Sequence, residues 1–390
     1  MTEQNRETNL PSGPLAGYRV VEMVGVGPGP FAAMWFADMG ATVVRVSRPG
    51  PRDNQTRGDV LNRGRQSIAV DLKQPGAAEL VLRLVDQADV LLEGFRPGVM
   101  ERLGLGPDVC LARRPGLVYG RVTGWGQQGP LAARAGHDIN YVALTGMLHG
   151  FGPADGRPAQ PMNLLGDFAG GGMFLVAGVL AALLERGRSG RGQVVDAAMT
   201  DGVSLLAGMI WANRGKGRWR DERESNIFDG GAPFYGTYRC ADGGYVAVGA
   251  IEREFWDTMV QLGGMDEALL SAQRDERSQW PAVRERLAAA FLTRTRDEWC
   301  ALLDGSDACV TPVLRMGEAV AHPHAQARDA FVTVSGVVQP APAPRLQRTP
   351  GAVQSVPPLP GEHSEEILRA HGFGETEIAQ AIASGIVHAT

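Results

Sequence analysis

The sequence predicts an α/β protein with a large parallel-sheet domain followed by a smaller α+β domain. Three observations carry this expectation. The chain opens with a strand, a helix and a second strand, the signature of a parallel sheet flanked by helices. That alternation continues as far as Trp211, and the texture changes near Asn213. A length of 390 residues also exceeds what one ordinary core holds, which favours two domains.

Taken in order, residues 1–13 are polar and read as a disordered lead-in, ahead of a large domain over 14–212. Gly17-Tyr-Arg-Val-Val-Glu-Met-Val24 reads as a strand, Gly25-Val-Gly-Pro-Gly-Pro30 as a tight turn, and Phe31 to Met39 as a helix. Ala41 to Val46 is a second strand. Strand 67–71, helix 76–87, strand 89–93 and a short helix from Pro97 follow. Strand 116–122 then leads into two Gly-rich loops, Thr123 to Tyr141 and Gly166 to Gly172, each running into an apolar helical segment. Gly190 to Asp196 supplies another turn and strand, and Met199 to Trp211 a helix. Residues 213–233 are dense in charge and read as a linker. In the small domain, 234–325, Phe234 to Ala250 alternates around Ala241-Asp-Gly-Gly244, a hairpin signal, and helical periods with Trp256, Trp280 and Trp299 follow. Residues 326–390 read as a segment returning to the large domain, Pro-rich from Pro340 to Pro360 and with a helix cap at Ser364.

Bulk properties narrow the function classes. The composition, 44% apolar and 21% charged, is that of a soluble globular chain, and we expect a cytoplasmic protein. A net charge of −5 argues against nucleic acid as a partner, so any anion site must be a local arginine cluster. Cys110, Cys240, Cys300 and Cys309 have no metal-ligand spacing. Phe168 to Leu184 is uncharged and approaches the ~17–25 residues of a spanning helix, but its charged and Gly-rich flanks favour a buried helix over a membrane segment.

The Gly-rich turn after the first strand fails the dinucleotide fingerprint, because Pro30 occupies the third glycine position. The second strand ends in Arg45-Val-Ser-Arg48 rather than an acid. An arginine there suits a phosphorylated ribose, either NADP or coenzyme A, or is a solvated surface group. Arg57, Arg63, Arg65 and Arg96 add to the supply. Arg48 and Arg96 follow strands, where ligands of parallel sheets gather, and are better phosphate candidates than Arg45. His137 and Asp167 place two proton carriers on the two loops. Each also has a plain structural reading, a satisfied histidine and a helix N-cap. Together they suit removal and return of a proton at carbon.

Seven blocks carry a resemblance. They are Gly25 to Pro30, Phe95-Arg-Pro-Gly-Val-Met-Glu-Arg-Leu-Gly104, Gly124-Trp-Gly126, Gly136-His-Asp-Ile-Asn-Tyr141, Asn163 to Gly172, Gly190 to Asp196 and Asp229-Gly-Gly-Ala-Pro-Phe-Tyr235. In order and in spacing the chain resembles the α-methylacyl-CoA racemases of the family III CoA-transferase superfamily. The resemblance implies a Rossmann-like large domain, a small domain and an interlocked homodimer. It implies racemisation of 2-methylacyl-CoA thioesters, with CoA as part of the substrate and no further cofactor or metal. It makes His137 and Asp167 the acid/base pair, supported by Glu252 from the partner chain. CoA would lie near Arg48, Val70, Asp71, Leu72, Lys73 and the run Gly136, His137, Asp138, Ile139, Asn140 and Tyr141, with Arg96 added from its place after a strand. The enolate oxygen would need preorganised donors, with the Asp138 N–H favoured. Met147, Met162, Met173, Met199 and Met209 offer a soft acyl surface, although most would serve as ordinary core. The superfamily's transferases instead use the aspartate as a nucleophile, and His137 is the residue that favours the racemase.

Overall fold

Valine is the commonest residue of the strand segments, and most strand positions are buried, the pattern of strands covered on both faces. In the computed structural model, which describes residues 13–50 and 56–390, these segments pair side by side. Residues 1–12 of the expected lead-in lie outside the described residues. Strands β1 (Arg19–Met23), β2 (Thr42–Ser47), β3 (Arg65–Val70), β4 (Val90–Glu93), β5 (Val118–Thr123) and β6 (Val194–Ala198) pair in parallel in the order β3-β2-β1-β4-β5-β6. A short strand, Val387–His388, adds to β3 in antiparallel sense, so the sheet is mixed at that edge.

The winding reverses between β1 and β4. Helices α1 (Pro28–Asp38), α2 (Ala77–Val85), α3 (Val99–Arg102), α4 (Pro107–Arg113), α5 (Asp138–Leu144) and α6 (Phe174–Ser189) lie in the crossovers, and α7 (Met199–Leu206) follows β6. Residues of β1, β2, β4 and β5 alternate between two cores. Val21, Val44, Val46 and Leu91 join α2 and the helices Ser364–Ala370 and Glu375–Ala383 on one face. Val20, Val43, Val90 and Leu92 join α1 and α6 on the other.

Several elements differ from expectation. α1 begins at Pro28, not Phe31, because proline tolerates the first helical turn and its ring presets φ. The apolar segment is longer than expected, one helical run over Leu164–Ser189. Length and composition would let it cross a bilayer; in the fold Leu175, Val176 and Val179 pack against the sheet. Its first ten residues, Leu164–Met173, are π-helical, so Asp167 lies inside a helix rather than at its N-cap. The helix expected from Met199 breaks after Leu206 and resumes at Gly208.

The chain divides into two units. The first comprises residues up to Thr145, Met162–Leu206 and Ala327–Thr390, and includes the Pro-rich 340–360 stretch. There Ala343 accepts the Trp35 indole N–H at 2.8 Å and Ser355 accepts the Gly64 N–H at 3.0 Å. The second comprises Gly146–Pro161 and Ala207–Gln326. It contains a three-stranded antiparallel sheet, Gly236–Arg239, Tyr245–Val248 and Val310–Pro312. Trp256, Trp280 and Trp299 are buried in its core, each indole N–H donating to a backbone carbonyl at 2.8–2.9 Å.

Candidate active site

Ligands of doubly wound sheets bind beyond the carboxyl ends of the strands, where the strand order reverses. A cavity of about 470 Å³ lies there in the first unit. Its lining comes from the turn after β1 (Gly25 to Pro30), the segment after β4 (Gly94, Phe95, Arg96), and the segment after β5 (Thr123, Gly124, Trp125). Gly136, His137, Tyr141, Asn163 and Asp167 complete the reacting side, with Phe168 and Met199 as apolar neighbours. The two expected proton carriers therefore face one space.

His137 is the residue before α5, in extended conformation, and the helix start fixes its backbone. Its carbonyl accepts the Asn140 N–H at 2.8 Å and its N–H donates to Asn140 Oδ1 at 3.1 Å. Tyr141 packs edge-on against Trp125, ring centroids 4.7 Å apart, and its hydroxyl donates to the Gly136 carbonyl. As the first N–H groups of a helix, those of Asp138 and Ile139 have no intrahelical acceptor.

Asp167 is held from several directions. Its Oδ2 accepts from Asn163 Nδ2 at 3.2 Å, and its backbone N–H donates to Asp138 Oδ2 at 2.7 Å. Gly27, at φ +68°, packs against its carboxylate; a Cβ there would lie 3.1 Å from Oδ2. Burial pushes the Asp167 carboxyl above its ordinary value, and the Asp138 charge adds to this; Asn163 and His137 oppose it. A more basic carboxylate is the better partner for a weak carbon acid.

The wide π turn is seated on glycines. A Cβ on Gly170 would come within 2.7 Å of Val203, and one on Gly172 within 2.6 Å of Phe31. Conversely, Gly202 of α7 presses on the Gly170 carbonyl. Backbone-to-backbone contact thus sets where Asp167 stands.

A second cavity of about 570 Å³ lies beyond β1, β2 and β3. Arg48, Val70, Asp71, Leu72 and Lys73 line it, with His388 from the last strand; Phe95 lines both cavities. Arg96 belongs to the first cavity, not with Arg48. The other arginines serve the fold. Arg63 pairs with Asp38 at 2.6 Å and Arg65 with Glu22 at 3.1 Å, all four buried, and Arg45 donates to Asn62. Within Gly136–Tyr141 the roles divide: Gly136, His137 and Tyr141 line the first cavity, Asn140 and Asp138 tie the backbone, and the Ile139 side chain is exposed. Glu252 lies in the second unit, ahead of the helix Arg253–Leu262. Of the five methionines, Met199 lines the cavity and Met162 and Met173 are exposed.

Sequence reasoning missed Asn163, Trp125 and His388. Asn163 precedes Asp167 by four residues, a helical spacing that would have signalled it had the π-helical run been foreseen.

Residues 15–364 match the model of CoA-transferase family III. The chain belongs to that family. It is 46% identical over 376 residues to α-methylacyl-CoA racemase of Homo sapiens, covering 96% of this chain and 97% of the human one, and equally to that of Mus musculus. A crystal structure of a CaiB/BaiF family protein from Brucella suis superposes with a TM-score of 0.79 at 28% identity, over 92% of this chain and 100% of that one. The family accounts for the mixed parallel sheet.

Proposed function

We propose that this protein racemises the α-carbon of 2-methylacyl-CoA thioesters. The observation that carries the reading is that His137 and Asp167 line one cavity at the switch point of the sheet. Similarity to the human and mouse racemases supports it along nearly the whole chain. One residue, as base, takes the α-proton. An enolate forms, and the other residue, as acid, returns a proton to the opposite face. The thioester oxygen would be met by the open N–H groups at the start of α5, Asp138 foremost. Phe168 and Met199 offer the acyl chain an apolar wall.

The nucleotide end of CoA would occupy the second cavity, with Arg48 and Lys73 toward phosphate and Arg96 nearer the pantetheine arm. CoA belongs to the substrate, and the proposed chemistry needs no separate cofactor or metal. We further propose an interlocked homodimer in the cytoplasm, with no membrane or nucleic-acid partner, in which Glu252 of one chain supports His137 of the other.

The test is incubation of a single 2R- or 2S-methylacyl-CoA enantiomer with the protein in deuterated water. Racemisation with deuterium uptake at Cα is expected; retention of the α-proton refutes the reading. The family's other chemistry, CoA transfer through an Asp167 acyl intermediate, instead gives a hydroxylamine-trappable adduct and CoA on an added acid. His137 in the same cavity favours proton transfer.

A further inference from the structure

We infer that the side chain of Asp138 is a positioning residue for Asp167, holding its backbone and setting its readiness to take a proton. This rests on the racemase reading for its chemical meaning and on geometry for its existence. Asp138 stands at the first position of α5, next to one proposed catalyst; its carboxylate is buried and is not among the groups that line the cavity. Its Oδ2 accepts the backbone N–H of the other catalyst, Asp167, at 2.7 Å. A charged acceptor makes this among the stronger backbone hydrogen bonds available. The contact is possible because position 166 is glycine: a Cβ there would lie 2.5 Å from Asp138 Oδ2 and 2.9 Å from its Cγ. One carboxylate thus binds the α5 start to the π-helical stretch, so the two catalysts are placed by a single contact.

The same contact has an electrostatic effect. Groups facing Asp167 are His137, just before α5, Asp138 and Tyr141 from α5, and Asn163, just before its own stretch; Gly27 from the turn before α1 is uncharged. Asp138 is the only carboxylate in that set. Its negative charge disfavours a second one on Asp167, in the same direction as burial. Truncation and charge removal at position 138 therefore act on Asp167 in separable ways.

The decisive variant is Asp138→Asn, which keeps an acceptor for the Asp167 N–H but removes the charge. Titration of the Asp167 carboxyl carbon by NMR, in protein labelled with ¹³C at aspartate and assigned by loss of the signal in Asp167→Asn, reads the effect without any turnover. The expected result is a midpoint moved to lower pH than in wild type, with the acidic limb of kcat/KM moving the same way. An unmoved midpoint overturns the inference, whether or not activity falls, because a merely structural role would lower rates and leave the titration in place. Gly166→Ala leaves both carboxylates intact but displaces Asp138 Oδ2 from the Asp167 backbone N–H, and is expected to lower kcat ~10²-fold with little change in KM. Wild-type kcat in that variant also overturns the inference; if it does not fold, the Asp138→Asn titration decides alone. Absence of α-proton exchange in wild type would sink the racemase reading instead, and the NMR titration would still report on the contact.

Discussion

Gly202→Ala tests the packing that holds Asp167 without altering any polar side chain. The new Cβ would lie 2.0 Å from the Gly170 carbonyl oxygen and 2.7 Å from its carbon. Ordinary contact begins near 3.4 Å, so α7 and the π-helical stretch must part by about 1.4 Å, and no flexible side chain can absorb the clash. Overpacking of this kind costs about 1–3 kcal/mol. For a unit of this size, 2 kcal/mol corresponds to a fall in Tm of roughly 4–8 °C. Asp167 lies one turn upstream of Gly170, and a displacement near 1 Å at a catalytic group can cost ~10²-fold in rate. Thermal unfolding and deuterium exchange at Cα, measured on the same preparation, read both effects. Gly187→Ala is the control, because position 187 lies exposed within α6 with no neighbouring atom within 4 Å of its added Cβ. There the same substitution should stabilise by up to ~1 kcal/mol and leave turnover alone. Wild-type melting and turnover in Gly202→Ala would refute the idea that backbone contact sets the place of Asp167.

Other expectations concern the site itself. His137→Ala and Asp167→Ala should each lower turnover by at least ~10²-fold in the deuterium-exchange assay, and near-normal rates in either would remove that residue from its role. Arg48→Ala should raise KM for the acyl-CoA about 5- to 30-fold, roughly 1–2 kcal/mol of binding, at nearly constant kcat, as steady-state kinetics would show. Asp167→Asn should abolish racemisation yet raise Tm at pH 7. The folded carboxyl binds its proton more tightly than the unfolded one, so ionised Asp167 costs stability that the amide restores. Because that cost is present above the raised value and fades as pH falls through it, the gain in Tm should shrink at acidic pH.

Strands were legible because both faces of a parallel sheet are buried, which leaves runs such as Val43 to Val46 and Val90 to Leu92 with little competing pattern. His137 and Asp167 were legible as chemistry on Gly-rich segments, and the cavity brings them together. Arg63 and Arg65 were not, because a sequence cannot show that Asp38 and Glu22 come to meet them inside the protein. The short helix α4 carries no long apolar stripe to announce it. The π-helical form of Leu164–Met173 was hidden for a related reason. Gly170, Gly171 and Gly172 look like a loop on propensity alone, and only the close approach of α1 and α7 makes a helix of them.

That stretch also acts as a phase adjuster. Each α-helical residue advances about 100° around the axis, and the wider turn of a π helix advances less. Over the ten residues of Leu164–Met173 the difference accumulates, so Asp167 points into the cavity while Leu175, Val176 and Val179 remain in step with the sheet. Deleting one residue here would let the run relax toward an ordinary helix, and either Asp167 or the core would then face the wrong way.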